Sequence, residues 1–279
     1  MKKNKFLLIL AVASIMFNGN LLAEDTKDSP KERQLSLKTE STVEVGVQGY
    51  WYKYEEEVNG AYFMSNEGTK YGFSLTGIKT LSNDFYVVGD LRYATGDVKY
   101  NSASGTGDVT DNMYEARLML GKDNIVDDSY LLSAYIGVGY RYLYNDLRDL
   151  GSGGYRRESK YQYIPVGVTH RFMLDNVSRV STSIEYDYFL GGEQKSYLSD
   201  VSPSYAAAFG DPVNKQRFGY GLRINTAYEE LHWSIGLFFN YWKIDDSEKN
   251  YYEVGSVWYV LTEPKNETQE IGVQLKYRF

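Results

Sequence analysis

The last ten residues, Glu270-Ile-Gly-Val-Gln-Leu-Lys-Tyr-Arg-Phe279, alternate without a break. Ile271, Val273, Leu275, Tyr277 and Phe279 fall on one side of an extended chain, and Gln274, Lys276 and Arg278 on the other. A period of two is the mark of a β-strand with one apolar and one polar face. The same period recurs upstream nine times. Thr42 to Tyr54 sets Val43, Val45, Val47 and Trp51 against Glu44, Gln48 and Tyr50. Lys70–Thr80 sets Tyr71, Phe73 and Leu75 against Ser74 and Thr76. Phe85–Ala94 sets Val87, Leu91 and Tyr93 against Asp90 and Arg92. Met113–Gly121 sets Ala116, Leu118 and Leu120 against Glu115 and Arg117, and Tyr130–Tyr144 sets Ile136, Val138 and Tyr140 against Ser133, Tyr135 and Arg141. Tyr161–Phe172 has Ile164, Val166 and Val168 on one face, with Pro165 predicting a local bulge because it lacks a ladder donor. Val180–Leu190 opposes Ile184, Tyr186 and Tyr188 to Glu185 and Asp187. Arg217–Tyr228 opposes Leu222 and Ile224 to Arg223 and Asn225. His232–Lys243 opposes Trp233, Ile235 and Leu237 to Ser234 and Asn240.

The connections alternate in length. Long ones fall at about 55–69, 95–112, 145–160, 191–216 and 244–269, and short ones at 81–84, 122–129, 173–179 and 229–231. A bacterial transmembrane barrel has short periplasmic turns and long external loops. The pattern therefore predicts an all-β fold: a ten-stranded antiparallel transmembrane β-barrel with both termini in the periplasm. A soluble sandwich has no reason to alternate its loop lengths. The aromatic residues predict two interfacial girdles. One comprises Trp51, Tyr71, Tyr93, Tyr114, Tyr142, Tyr161, Tyr188, Phe218 and Tyr241; the other Phe85, Tyr130, Phe172, Trp233 and Tyr277.

Lys2, Lys3 and Lys5 precede an apolar run from Phe6 to Phe17, and a small residue, Ala23, stands before the first acid, Glu24. This is the layout of a secretory signal peptide at 1–23, and the run is too short for a helical span. Charged residues 24–40 lack periodicity and are expected to be a disordered periplasmic lead-in to a barrel at 41–279. Loss of the three lysines takes the net charge from −7 to −10, which argues against a nucleic-acid partner. Without any Cys, disulfides, thiolate metal sites and a Cys-linked lipid are excluded. No cofactor is expected.

The pattern Val273-x-Leu275-x-Tyr277-x-Phe279 resembles the C-terminal signal that barrel-assembly machinery reads on its clients. Tyr135-Ile-Gly-Val-Gly-Tyr-Arg-Tyr-Leu-Tyr-Asn-Asp-Leu, followed by Tyr155-Arg-Arg-Glu-Ser, is similar to the opacity-protein-like outer-membrane barrels. That resemblance implies a Gram-negative cell outer membrane as the location, with lipid and lipopolysaccharide as neighbours. It carries across no catalytic residues.

Charges facing lipid near the midplane would cost a few kcal/mol each, so Glu44, Asp90, Arg92, Glu115, Arg117, Arg141, Glu185, Asp187, Arg223, Lys276 and Arg278 are expected to line the lumen. They could form a selectivity lining or a paired network that fills the bore. Ten strands lie close to the filled end of the range, which favours the network. His232-Trp-Ser234 matches the His-x-Ser pair of outer-membrane lipid hydrolases, but it follows a periplasmic turn and shares lumen parity. Omptin proteases place a His and acids at the outer rim, whereas His170 and His232 both map to periplasmic ends. Asp245-Asp246 and Asp108-x-x-Asp111 read as loop formers rather than a Ca²⁺ site. The stretch Tyr251–Val260 is expected to form a hairpin above the membrane. The function expected is thus a non-enzymatic surface protein, structural or adhesin-like, with loops that contact a host or surface ligand. A narrow porin-like channel is the alternative, and a lipid hydrolase using His232 and Ser234 the third reading.

Overall fold

Alternation is realised as a closed barrel. The computed structural model describes residues 35–103 and 105–279. The predicted signal peptide and residues 24–34 of the lead-in lie outside them. Ten strands form the wall: β1 (Thr42–Val58), β2 (Ala61–Thr80), β3 (Phe85–Ser102), β4 (Gly105–Ile125), β5 (Tyr130–Asp146), β6 (Arg156–Met173), β7 (Ser178–Ser196), β9 (Gly219–Glu230), β10 (Trp233–Ile244) and β13 (Lys265–Arg278). Every neighbour pair is antiparallel, and β1 pairs with β13 from Glu44↔Arg278 to Glu57↔Lys265, which closes the sheet and leaves no edge. A short strand β8 (Val213–Gln216) adds to the top of β7, and β11 (Asn250–Val254) with β12 (Val257–Leu261) makes the expected outer hairpin.

The apolar rows point outward. Val273, Leu275 and Tyr277 are each about half exposed, as are Val45, Leu118, Val138, Val168, Ile184, Ile224 and Ile235. No soluble sheet presents such a belt to water; hydrocarbon is the solvent that suits it. From Ile271 to Phe279, eight residue steps of ~3.4 Å tilted about 40° give a belt roughly 20 Å high. Tyr93, Tyr114 and Tyr142 make a cross-strand ladder at its outer edge, with ring centroids 4.9 and 5.9 Å apart. Tyr130–Phe172 (4.8 Å) and Tyr228–Trp233 (5.6 Å) mark the periplasmic edge. Tyr161 departs from its expected place in the girdle. On β6 the even residues face lipid, so Tyr161 turns inward and is buried.

The outer connections are largely strand. β1 and β2 run on to a two-residue turn at Asn59 and Gly60, both at positive φ, the conformation that favours Asn-Gly. β3 and β4 likewise extend to Ser102 and Gly105. Above the girdle the outward face becomes ionic, as in Lys53–Glu55 (2.8 Å), Lys243–Glu267 (2.8 Å) and Lys265–Glu57 (2.9 Å). The barrel therefore stands clear of the bilayer. Ten residue steps from Tyr71 to Ala61 carry its rim roughly 25 Å above the belt. Pro165 interrupts the β5–β6 ladder with no register slip; the bulge lies opposite, on β7, where Gln162 pairs with Gly191 but Tyr163 with Phe189.

Residues 35–40 are tied down. Thr39 donates its N–H to Asp123 (2.6 Å), Arg171 donates to the Thr39 hydroxyl (2.9 Å), Leu35 bonds to the Asn176 carbonyl (2.9 Å) and Lys38 pairs with Asp84 (2.6 Å). The end of the predicted disordered lead-in is thus an ordered strap across three periplasmic turns, because those turns offer carboxylates and a free carbonyl to it.

Candidate functional site

Inside the wall the polar rows converge. Glu115 on β4 is the hub: Arg223 from β9 grips it with two bonds (2.6 and 2.9 Å), and the Tyr163 hydroxyl donates to it (2.8 Å). Arg223 also donates to Asp187 (2.7 Å), and Arg117 spans from Asp90 (2.9 Å) to Glu185 (2.9 Å). Glu270 on β13 receives Arg92 (2.8 Å), Arg141 (2.7 Å) and Asn240 (2.9 Å). Asp90–Arg117, Asp187–Arg223 and Asn240–Glu270 join adjacent strands, whereas Arg223–Glu115, Arg117–Glu185, Arg92–Glu270 and Arg141–Glu270 join strands that are not neighbours, so the network braces opposite walls. Of the lumen residues expected from sequence, Asp90, Arg92, Glu115, Arg117, Arg141, Glu185, Asp187 and Arg223 meet in this one cluster. Glu44, Lys276 and Arg278 gather below it with Glu229, where Arg278 lies 2.9 Å from Glu44 and 3.0 Å from Glu229.

Tyr50, Tyr163, Trp242 and Phe238 pack around the guanidiniums, with Arg141 and Arg223 each 5.5 Å from the Trp242 ring. Six inward glycines make room for rings on the adjacent strand: Gly121 faces Tyr86, Gly139 Tyr163, Gly167 Tyr135, Gly192 Tyr161, Gly221 Trp242 and Gly272 Tyr50. A Cβ at Gly139 would stand 2.2 Å from the Tyr163 ring. Above this layer Lys70 pairs with Asp111, both buried beside Tyr52. Arg141 is 1% exposed and Lys70, Tyr163 and Asp187 0%, so the bore is filled at mid-height.

Two spaces remain. A polar chamber of about 240 Å³ lies on the periplasmic side, lined by Glu44, Gln48, Asp90, Arg117, Arg171 and Lys276 among others. A vestibule of about 590 Å³ opens at the outer rim. There Arg157 on β6 bridges Glu56 on β1 (2.5 Å) and Glu263, in the connection before β13. Burial and the neighbouring Glu56 push the Glu263 carboxyl up, to about 8, against the pull of Arg157. At the rim, hydrogen bonds from Arg148 hold Asp146 low, at about 2. The outer hairpin packs Tyr252 and Tyr259 on Phe209 of helix α1 (Pro203–Phe209), leaving Tyr251, Trp258 and Val260 bare.

His232 stacks on Tyr277 and its Nδ1 lies 3.4 Å from the Arg278 carbonyl, while Ser234 is buried in the lumen. His170 lies against Tyr130 at the periplasmic edge, with the two rings tilted. Among the described residues no group of three or more His, Cys, Asp or Glu side chains is placed to hold a metal. Sequence reading left out Glu270, Glu229 and Lys70, although each shares the parity of residues it did choose, and it read Asp111, which lies on β4, as a loop former. It left out Glu56, Arg157 and Glu263 because they lay in stretches read as loops.

The solved outer membrane protease OmpT from Escherichia coli has a similar fold. The TM-score is 0.51 at 11% identity, over 85% of this chain and 97% of that one. An outer membrane channel from Pseudomonas putida F1 gives 0.42 at 9% identity over 91% and 100% of the two chains. Ail, the attachment invasion locus protein of Yersinia pestis, gives 0.32 at 11% over 85% and 99%. The fold is that of outer-membrane β-barrels. At such identities a likeness carries the fold and not the role. No protein-family model matches the chain, and no curated protein matches it.

Proposed function

We propose that this chain is a non-enzymatic outer-membrane surface protein whose raised outer barrel and hairpin are its contact surface. The observation that carries this reading is the filled bore. Opposite walls are tied through Glu115 and Glu270, and aromatic rings occupy the gaps, so little path remains for solute. What stands free is the part above the girdle, including the bare Trp258 and Tyr251, residue types suited to contact. The predicted signal peptide supports export, and the outward Val273, Leu275, Tyr277 and Phe279 suit recognition by barrel-assembly machinery. The opacity-like resemblance supports both, and it supports lipopolysaccharide as a neighbour of the outer belt. Both histidines lie at the periplasmic end, away from the raised surface, which speaks against an omptin-like or lipid-hydrolysing role for them.

Planar-bilayer recording of the purified protein tests this against the channel alternative. The wild type is expected to be silent, and Arg141→Ala combined with Trp242→Ala to conduct. A steady unitary conductance from the wild type would replace this reading with the channel.

A further inference from the structure

The outer vestibule has the size and mixed lining of a ligand site rather than of a packing defect: about 590 Å³, with apolar side chains in its walls and polar ones, Glu56, Arg157 and Glu263 among them, beside these. Val58, Phe63, Leu147, Leu150, Leu198 and Leu261 supply the walls. The floor carries two carboxylates, Glu56 and Glu263, for one guanidinium, Arg157. One pleat below the lining residues Met64, Leu147 and Asn214 lie three buried amides, Asn66, Asn145 and Gln216. The Asn66 and Asn145 carbonyl oxygens accept no hydrogen bond, and neither amide atom of Gln216 has a partner. Charge and hydrogen-bond capacity both leave the site short of cationic donors: one guanidinium serves two carboxylates, and three of the four unpartnered amide atoms are acceptors.

We propose that the vestibule binds a small cationic amphiphile, with an apolar or aromatic body against the leucines and a protonated amine or guanidinium over Glu56 and Glu263. An anion would meet two carboxylates. A neutral ligand would bring no cation to the second carboxylate. An ammonium group brings three donors and a guanidinium five, to a floor where two carboxylates share one guanidinium.

The ionisable groups around Glu263 are Glu56 and Tyr54 on β1, Arg157 and Tyr161 on β6, and Tyr155 just before it. Arg157 is the one cation among them. With the Glu263 carboxyl raised, the site holds a proton at neutral pH where a second cation would otherwise stand. A bound ammonium takes that place, and the proton leaves to solvent. Binding therefore tightens as pH rises, until Glu263 is ionised in the free protein.

Titration calorimetry on the full chain in lipid nanodiscs tests this, with 4-phenylbutylamine and its neutral counterpart 4-phenylbutan-1-ol as probes. The amine is expected to bind at least about tenfold tighter than the alcohol at pH 8, and to gain nearly tenfold from pH 6 to 7 and about fivefold from pH 7 to 8. Glu263→Gln should abolish that slope. Leu150→Ala should weaken both probes and leave the slope intact. Equal affinity for amine and alcohol in the wild type overturns the proposal without any variant, as does an amine affinity that does not change from pH 6 to 8. The outcome is separate from the bilayer test, since the vestibule lies above the filled bore and would bind whether or not the bore conducts.

Discussion

Replacing Glu270 by Leu should destabilise the barrel by about 3–5 kcal/mol, the usual cost of stripping one partner from a buried ion pair. The figure follows from what remains. Arg92 keeps Gln48 at 3.0 Å and Glu115 at 3.8 Å, so it is still held. Arg141 does not fare as well: its other carboxylate, Glu115, is 4.0 Å away, its Nη1 already lacks a hydrogen-bond partner, and it is 1% exposed. A cation so placed can neither reach water nor lose its proton. Adding Arg141→Met should restore most of the loss, leaving the double variant within about 1 kcal/mol of wild type, because both members of the pair are then gone. Urea unfolding of the barrel in lipid vesicles, followed by tryptophan fluorescence, measures all three proteins. A single-variant cost below about 1 kcal/mol would mean that water reaches Arg141. The filled bore, and the surface role inferred from it, would fall together.

Val138→Arg, placed mid-belt on the lipid face, should cost about 2–4 kcal/mol in the same assay, whereas Glu55→Gln on the raised ionic face should cost less than about 1 kcal/mol. Gly139→Val would drive a side chain into the Tyr163 ring and should cost about 1–3 kcal/mol. Because folding raises the Glu263 carboxyl from 4.5 to about 8, the folded state holds the extra proton in that window, and the stability this contributes is lost as pH rises through about 8. Amide exchange across residues 245–264, corrected for intrinsic rate, should therefore quicken between pH 6 and 9 in the wild type and stay level in Glu263→Gln.

The strands were legible where they cross the membrane and illegible just above it, and β1 shows why. From Val43 to Trp51 the odd residues are apolar and face lipid. From Lys53 to Glu57 the odd residues are charged and face water, while Tyr50, Tyr52 and Tyr54, all even, are buried inside. The alternation never stops; its sign reverses where the outer solvent changes from hydrocarbon to water. β3 does the same with Ala94 and Val98 inward and Asp97 and Lys99 outward, and β10 with Trp242 and Ile244 inward and Lys243 outward. A search for apolar-outward rows ends at that reversal and names the rest a loop. Asn59-Gly60 was the local sign that the strands continue to a hairpin.

The same reversal accounts for the candidate site. Within the membrane the lumen receives the polar half of each strand, and charges of both signs at matching heights pair across the bore. That much could be read from parity. Above the membrane the lumen receives most of the apolar half, so Glu56, Arg157 and Glu263 enter an interior of Tyr, Met, Leu and Val side chains with a few amides between them. Burying one guanidinium there calls for a carboxylate; a second carboxylate beside it raises the local cost unless something else neutralises it. Packing alone gives no reason to bring Glu263 from a separate connection onto a pair that Glu56 already completes. If Glu263→Gln left the barrel's stability at pH 8 unchanged or higher, and removed the discrimination between amine and alcohol, the second carboxylate would be serving a ligand rather than the fold. If it lowered stability at pH 8 by more than about 3 kcal/mol, the size expected for breaking a buried pair, Glu263 would be a structural partner of Arg157.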